Sequence, residues 1–128
     1  MKEEPTAKEF QHSGGAKDVK VYRLTSQSAS ANKTRIMLNF GIHGREYIAA
    51  EVALRFMHTM CDGSERSQKV LNTTDFIVIP LLNVAGRKKV ETAEAGVTCS
   101  SLRKNEREVD LNRNFDFHWD EGTDELVR

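Results

Sequence analysis

The chain has 128 residues, enough for one domain. Nineteen basic residues balance nineteen acidic ones, so no net field draws it to nucleic acid or to an anionic membrane. Hydrophobic residues make up 38% and charged residues 30%, the mix of a soluble body with a core, and the longest apolar run, Phe76 to Leu82, is far too short to span a bilayer.

In chain order, residues 1–18 form a polar segment with Pro5 and Gly14-Gly15, and no apolar run after Met1 marks a signal peptide. Val19-Lys-Val-Tyr-Arg-Leu24 alternates apolar and polar residues and predicts a half-buried strand. The polar tract Thr25 to Lys33 predicts a loop, and Arg35 to Phe40 a second strand that forms a hairpin with the first. From Glu46 to Met60 the apolar positions Ile48, Val52, Phe56 and Met60, with Ala49, Ala53 and Met57 beside them, predict one face of an amphipathic helix. His58 falls on its exposed side, and Gly63 stops it. A short helical turn is expected at Ser67 to Leu71. Phe76-Ile-Val-Ile-Pro-Leu is the continuous apolar run of a buried strand, with Pro80 marking its exit. Asn83 to Gly86 predicts a turn, and Lys88 to Val97 a loop. Cys61 and Cys99 show no zinc spacing and read as isolated thiols. Two Asn-x-Thr acceptor patterns, at Asn32 and Asn72, lean toward a secretory route.

Two stretches carry chemistry. Asn39-Phe-Gly-Ile-His43-Gly-Arg45-Glu46 places a histidine and a glutamate three residues apart where strand passes into helix. Imidazole nitrogen and carboxylate oxygen are both zinc ligands. Taken alone, the pair is a weak signal, and the better reading is a Glu46 that serves a helix N-terminus and a His43 in a hydrogen-bonded turn. The second stretch, Val109-Asp110-Leu-Asn112-Arg113-Asn114-Phe115, crowds an acid, two amides and an arginine between apolar residues. A guanidinium fork with an adjacent amide donor suits a carboxylate.

Together these stretches resemble the zinc metallocarboxypeptidases, the family of carboxypeptidases A and B. Gly-Ile-His-Gly-Arg-Glu resembles the family's zinc motif, and Asp-Leu-Asn-Arg-Asn-Phe its substrate-carboxylate motif. Between them, Phe76 to Arg87 resembles its strand and Asn-x-x-Gly turn. The short spacing from Arg103 to Asp110 is closest to the plant-type and regulatory branches. The resemblance covers Val19 to Trp119. It implies an α/β fold of three layers, a mixed and mostly parallel sheet flanked by helices. It also implies a Zn2+ cofactor and the C-termini of peptides or proteins as substrates.

Carried over position by position, the resemblance makes His43 and Glu46 zinc ligands. Asp110 becomes the acid that orients the zinc histidine, and Arg103 the group that polarises the scissile carbonyl. Asn112 and Arg113 hold the substrate carboxylate, and Arg45 lines a subsite. The role of Arg103 rests on its seven-residue spacing to Asp110, so Arg107 is the alternative, and a loop arginine is usually a solvated charge. The family's third zinc ligand and its catalytic glutamate lie well downstream of the Asn-Arg motif. Only 15 residues follow Arg113, and His118 is too close to match. Residues 19–128 are therefore expected to be the N-terminal part of such a domain, inactive alone. Two other readings are an aspartoacylase-like zinc amidohydrolase, which shares a His-Gly-x-Glu and an Asp-Leu-Asn-Arg motif, and an inactive binding remnant. By resemblance and acceptor patterns the localisation is secretory or extracellular.

Overall fold

The structure is a computed structural model that describes residues 19–26, 32–93 and 96–116, together with the backbone of residues 6–11. Four strands are present: β1 (Thr6–Gln11), β2 (Lys20–Thr25), β3 (Thr34–Asn39) and β4 (Thr74–Ile79). Three helices accompany them: α1 (Tyr47–Met60), α2 (Glu65–Thr73) and α3 (Val84–Glu91). Two 3-10 turns follow, at Ser101–Arg103 and Leu111–Arg113. The described residues form two compact units. One holds the chain up to Phe40 with Ile48–Leu82, and the other holds Gly41–Tyr47 with the chain from Asn83 onward.

In the first unit the sheet order is β1-β2-β4-β3. β1 pairs antiparallel with β2, β2 antiparallel with β4, and β3 parallel with β4. The expected mixed α/β sheet is thus present, with one of these three pairings parallel. Parallel strands need a crossover connection, and α1 and α2 supply it between β3 and β4. The expected β2–β3 hairpin does not form, because β4 lies between the two strands. The physical reason is apolarity. Phe76, Val78 and Ile79 of β4 are all under 10% exposed, so the most apolar strand takes the centre, where both its edges are paired. The loop expected between β2 and β3 lies partly outside the described residues, at 27–31.

The core is Leu24, Leu71, Phe76 and Val78, with Leu38, Phe40, Phe56, Met57, Met60 and Val70 packed against it. Register explains it. Leu24 and Ile36 are both opposite Phe76, and Leu38 is opposite Val78, so these side chains share one sheet face. The Phe56 ring meets Phe76 edge to face at 5.2 Å between centroids. Helix α1 occupies its predicted span and turns Ala53, Phe56, Met57 and Met60 of the predicted face inward, but not Ile48 and Val52. Ala53 is fully buried, whereas Ile48 is 72% and Val52 50% exposed. His58 is exposed, as expected. The expected short turn at Ser67 to Leu71 is a full helix, α2. Ser64 caps it by accepting from the Ser67 amide at 3.2 Å, and Leu71 is anchored in the core.

The opposite face of β4 carries Asp75, 3% exposed. Arg23 grips it with two bonds of 2.8 and 2.7 Å, and Arg35 lies 3.6 Å away. The Arg23 hydrogen bonds hold the Asp75 carboxyl below its ordinary range against the opposing effect of burial. β4 ends at Ile79, immediately before Pro80, as expected.

Candidate active site

The second unit is assembled around a helix that the sequence reading took for turn and loop. Asn83 caps α3 by accepting from the Gly86 amide at 2.8 Å. Lys88 and Lys89 sit in its last turn, where cations are favoured. The Asn83 side chain folds so tightly onto Gly86 that a Cβ there would lie 2.4 Å from its amide nitrogen. Only glycine leaves that room, which explains the Asn-x-x-Gly spacing. The buried Asn83 amide also donates to the carbonyls of Ile42 and Lys104, each at 3.3 Å. One side chain thereby ties the His43 loop to the loop that follows Arg103.

His43 is buried, at 4% exposure. Its Nδ1 lies 2.8 Å from Glu46 Oε1, and its Nε2 lies 3.2 Å from Asp110 Oδ1. Asp110 is itself buried and serves three groups. Besides His43, its Oδ1 accepts from the Asn112 amide at 2.9 Å, and its Oδ2 accepts from Arg103 Nε at 2.6 Å. Burial pushes this carboxyl upward. The Arg103 bond, the Asn112 amide, the Arg103 charge and His43 together outweigh burial and leave it below the ordinary carboxylate range. Arg103 Nη1 also approaches Glu46 Oε1, at 3.8 Å. Four predicted site residues therefore form one connected chain, Glu46–His43–Asp110–Arg103. Arg107 is exposed.

The side chains of the other three predicted residues are not part of that chain, which Asn112 meets only through its backbone amide. Asn112 and Arg113 are exposed, and Arg113 Nη1 donates to the Asn112 carbonyl at 3.1 Å. Phe115 beside them is 57% exposed, so this stretch is a solvent-facing surface, not one packed between apolar neighbours. Arg45 is held on Cys99, its Nη1 donating to the Cys99 carbonyl at 2.6 Å and lying 3.0 Å from the sulfur. Cys61 and Cys99 are free thiols, as expected.

The donor set fits a divalent metal in part. With Nε2–H directed at Asp110, the Nδ1 lone pair points toward Glu46, so a nitrogen and a carboxylate oxygen face one small volume. Among the described residues no group of three His, Cys, Asp or Glu side chains is arranged to hold a metal.

Sequence reasoning missed Arg87. It is 9% exposed and donates from Nε to the Gly44 carbonyl at 2.8 Å and from Nη2 to the Glu46 carbonyl at 3.3 Å. Its guanidinium lies 3.9 Å from the centre of the Tyr47 ring. The available signal was position: four residues after a helix-capping Asn, Arg87 was bound to sit on the first turn of any helix that formed.

Comparison with known proteins gives a consistent picture. The family model described as zinc carboxypeptidase matches residues 6–126. Carboxypeptidase O of Bos taurus is 32% identical over 111 residues, covering 77% of this chain and 28% of that protein. Carboxypeptidase Z of Mus musculus is 31% identical over 106 residues, covering 77% of this chain and 16% of that protein. The crystal structure of thrombin activatable fibrinolysis inhibitor superposes with a TM-score of 0.69 at 24% identity, over 91% of this chain and 30% of that one. Carboxypeptidase A from Helicoverpa armigera superposes at 0.65 with 25% identity, over 91% and 30%. The chain spans less than a third of the length of each of these relatives.

Proposed function

The chain belongs to the zinc carboxypeptidase family, and from that premise we propose that it supplies the metal loop and the carboxylate-binding loop of a zinc-dependent hydrolase that removes C-terminal residues from peptides or proteins. The observation that carries the proposal is the connected chain Glu46–His43–Asp110–Arg103. A structural turn histidine needs one partner. This one has a carboxylate facing each ring nitrogen, and one of those carboxylates is fixed by an arginine.

In this reading His43 Nδ1 and Glu46 would hold Zn2+, whose chemistry when bound would be Lewis-acid activation of water and of the scissile carbonyl. Asp110 keeps the imidazole in the tautomer that leaves Nδ1 free and raises its basicity. Arg103, held by Asp110 beside Glu46, offers its remaining N–H groups to the carbonyl oxygen as negative charge develops there. Arg113 and Asn112, exposed and adjacent, take the free carboxylate of the substrate, which restricts cleavage to the chain end. Arg45, anchored by Cys99, borders the same loop and lines a subsite. A third metal ligand and a base for the water belong to residues other than those described.

The exposed acceptor positions Asn32 and Asn72 support a secretory setting, and among the described residues no helix is long and apolar enough to cross a membrane. The test is hydrolysis of a blocked dipeptide by the complete protein, with and without chelator. Chelation and His43→Ala should each abolish it. An N-acyl amino acid offered in parallel distinguishes the aspartoacylase-like amidohydrolase, and preferential cleavage of that substrate would replace this proposal.

A further inference from the structure

We infer that Arg87 is a positioning residue that clamps the metal loop into its chelating shape. The inference rests on the proposal that His43 and Glu46 are the metal donors. The loop between them is short. Its backbone bonds outside the helices run from the Glu46 amide to the His43 carbonyl at a long 3.3 Å, from the Tyr47 amide to the Arg45 carbonyl at 3.1 Å and from the Arg45 amide to the Leu102 carbonyl at 3.1 Å. None of those three bonds engages the carbonyl of Gly44. Arg87 binds that carbonyl and the Glu46 carbonyl with one planar fork, on either side of the peptide that carries Arg45, and stacks on Tyr47, the next residue along. A guanidinium can do this because its donors are rigidly spaced, whereas lysine offers a single mobile head.

The fork is brought close by a second device. The backbones of Gly44 and Gly86 are in direct contact, such that a Cβ on Gly44 would fall 2.4 Å from the Gly86 carbonyl group. Helix α3 thus abuts the loop at Gly86 and grips it at Arg87, one residue later. Asn83 secures the loop's other flank through the Ile42 carbonyl. Arg87 touches neither His43 nor the Glu46 carboxylate. Its effect on the metal runs through the backbone that sets their separation.

Two measurements on the 128-residue chain decide this. Amide hydrogen exchange in metal-free protein reads the loop directly. Arg87→Met, which keeps the stem and removes the fork, should speed exchange of the Arg45 and Glu46 amides, and Arg87→Lys should do so less. Zn2+ titration against a chromophoric chelator reads the consequence. Arg87→Met should weaken zinc binding about 10-fold or more, the range seen when groups that orient metal ligands are lost, with partial rescue in Arg87→Lys. Leu71→Ala, which loosens only the first unit's core, should lower the melting temperature and leave zinc affinity unchanged. Unaltered exchange in Arg87→Met would overturn the clamp, and so would zinc affinity that falls as far in Leu71→Ala as in Arg87→Met. If the unaltered chain takes up no zinc at all, the metal assignment fails, while the exchange experiment still decides the clamp.

Discussion

Asp110 holds three donors with one carboxylate: the His43 ring, the Asn112 amide and the Arg103 guanidinium. Removing its charge should therefore act on more than one group. Asp110→Asn preserves volume but leaves Arg103 without its anion and His43 with a weaker acceptor. Zinc titration of this variant should show a loss of about 10–100-fold, and unchanged affinity would mean that Asp110 does not orient the ligand. Arg113→Lys addresses a different function. It keeps the charge but loses the fork, so kinetics of the complete protein should show a raised KM with kcat less affected. A fall in kcat alone would place Arg113 at the reacting carbonyl instead. At this scale the sequence was informative where partners are local or motif-borne: His43 with Glu46 three residues on, and Arg103 with Asp110 seven residues on. For Arg87 it offered only a position, since the residue stands in the run Arg87-Lys88-Lys89 and reads as one solvated charge among several. Its burial depends on a carbonyl 43 residues away, and no periodicity encodes that meeting.

Among the elements, α1 and β4 show how far pattern reaches. Both lie where their apolar runs predict, but the apolar face of α1 is wider than what the sheet covers, and period alone does not say which edge stays out. The structure packs Ala53, Phe56, Met57 and Met60 inward, Phe56 reaching Phe76, and leaves Ile48 and Val52 exposed. Strand order was equally beyond local reading, since β2 and β3 are neighbours in sequence and are separated in the sheet by the most apolar strand. Three outcomes follow from this packing. Leu71→Ala empties a fully enclosed site and should cost about 2–5 kcal/mol in a denaturant titration. Asp75 has a folded-state pKa depressed chiefly by Arg23, so its contribution is fully present above the ordinary aspartate value near 4 and is lost as pH falls through the lower folded value. Acid unfolding should thus be less steep below about pH 4 in Asp75→Asn, and identical acid curves would remove Asp75 from the account. Finally, β3 pairs with β4 on one side, and among the described residues no strand pairs with its other edge. With Met37 62% exposed on that strand, the isolated chain should self-associate. Met37→Lys should raise the monomer fraction in size-exclusion chromatography, and no change would point to the exposed Ile48–Val52 stripe of α1.

For the molecule as a whole, family membership accounts for the fold, while the chain spans 28% of carboxypeptidase O of Bos taurus and 30% of the thrombin activatable fibrinolysis inhibitor chain. Catalytic zinc sites use three protein ligands and an open position for water. The proposed donors among the described residues are two, His43 and Glu46, on a single short loop. Such a site should hold zinc measurably and weakly. Direct zinc titration of the 128-residue chain, unaltered and as His43→Ala and Glu46→Gln, tests whether these two side chains are the metal donors. The unaltered chain should bind one ion weakly and saturably, with binding lost in His43→Ala and reduced in Glu46→Gln. Undiminished binding by His43→Ala, or tight stoichiometric zinc in the unaltered chain, would contradict that assignment.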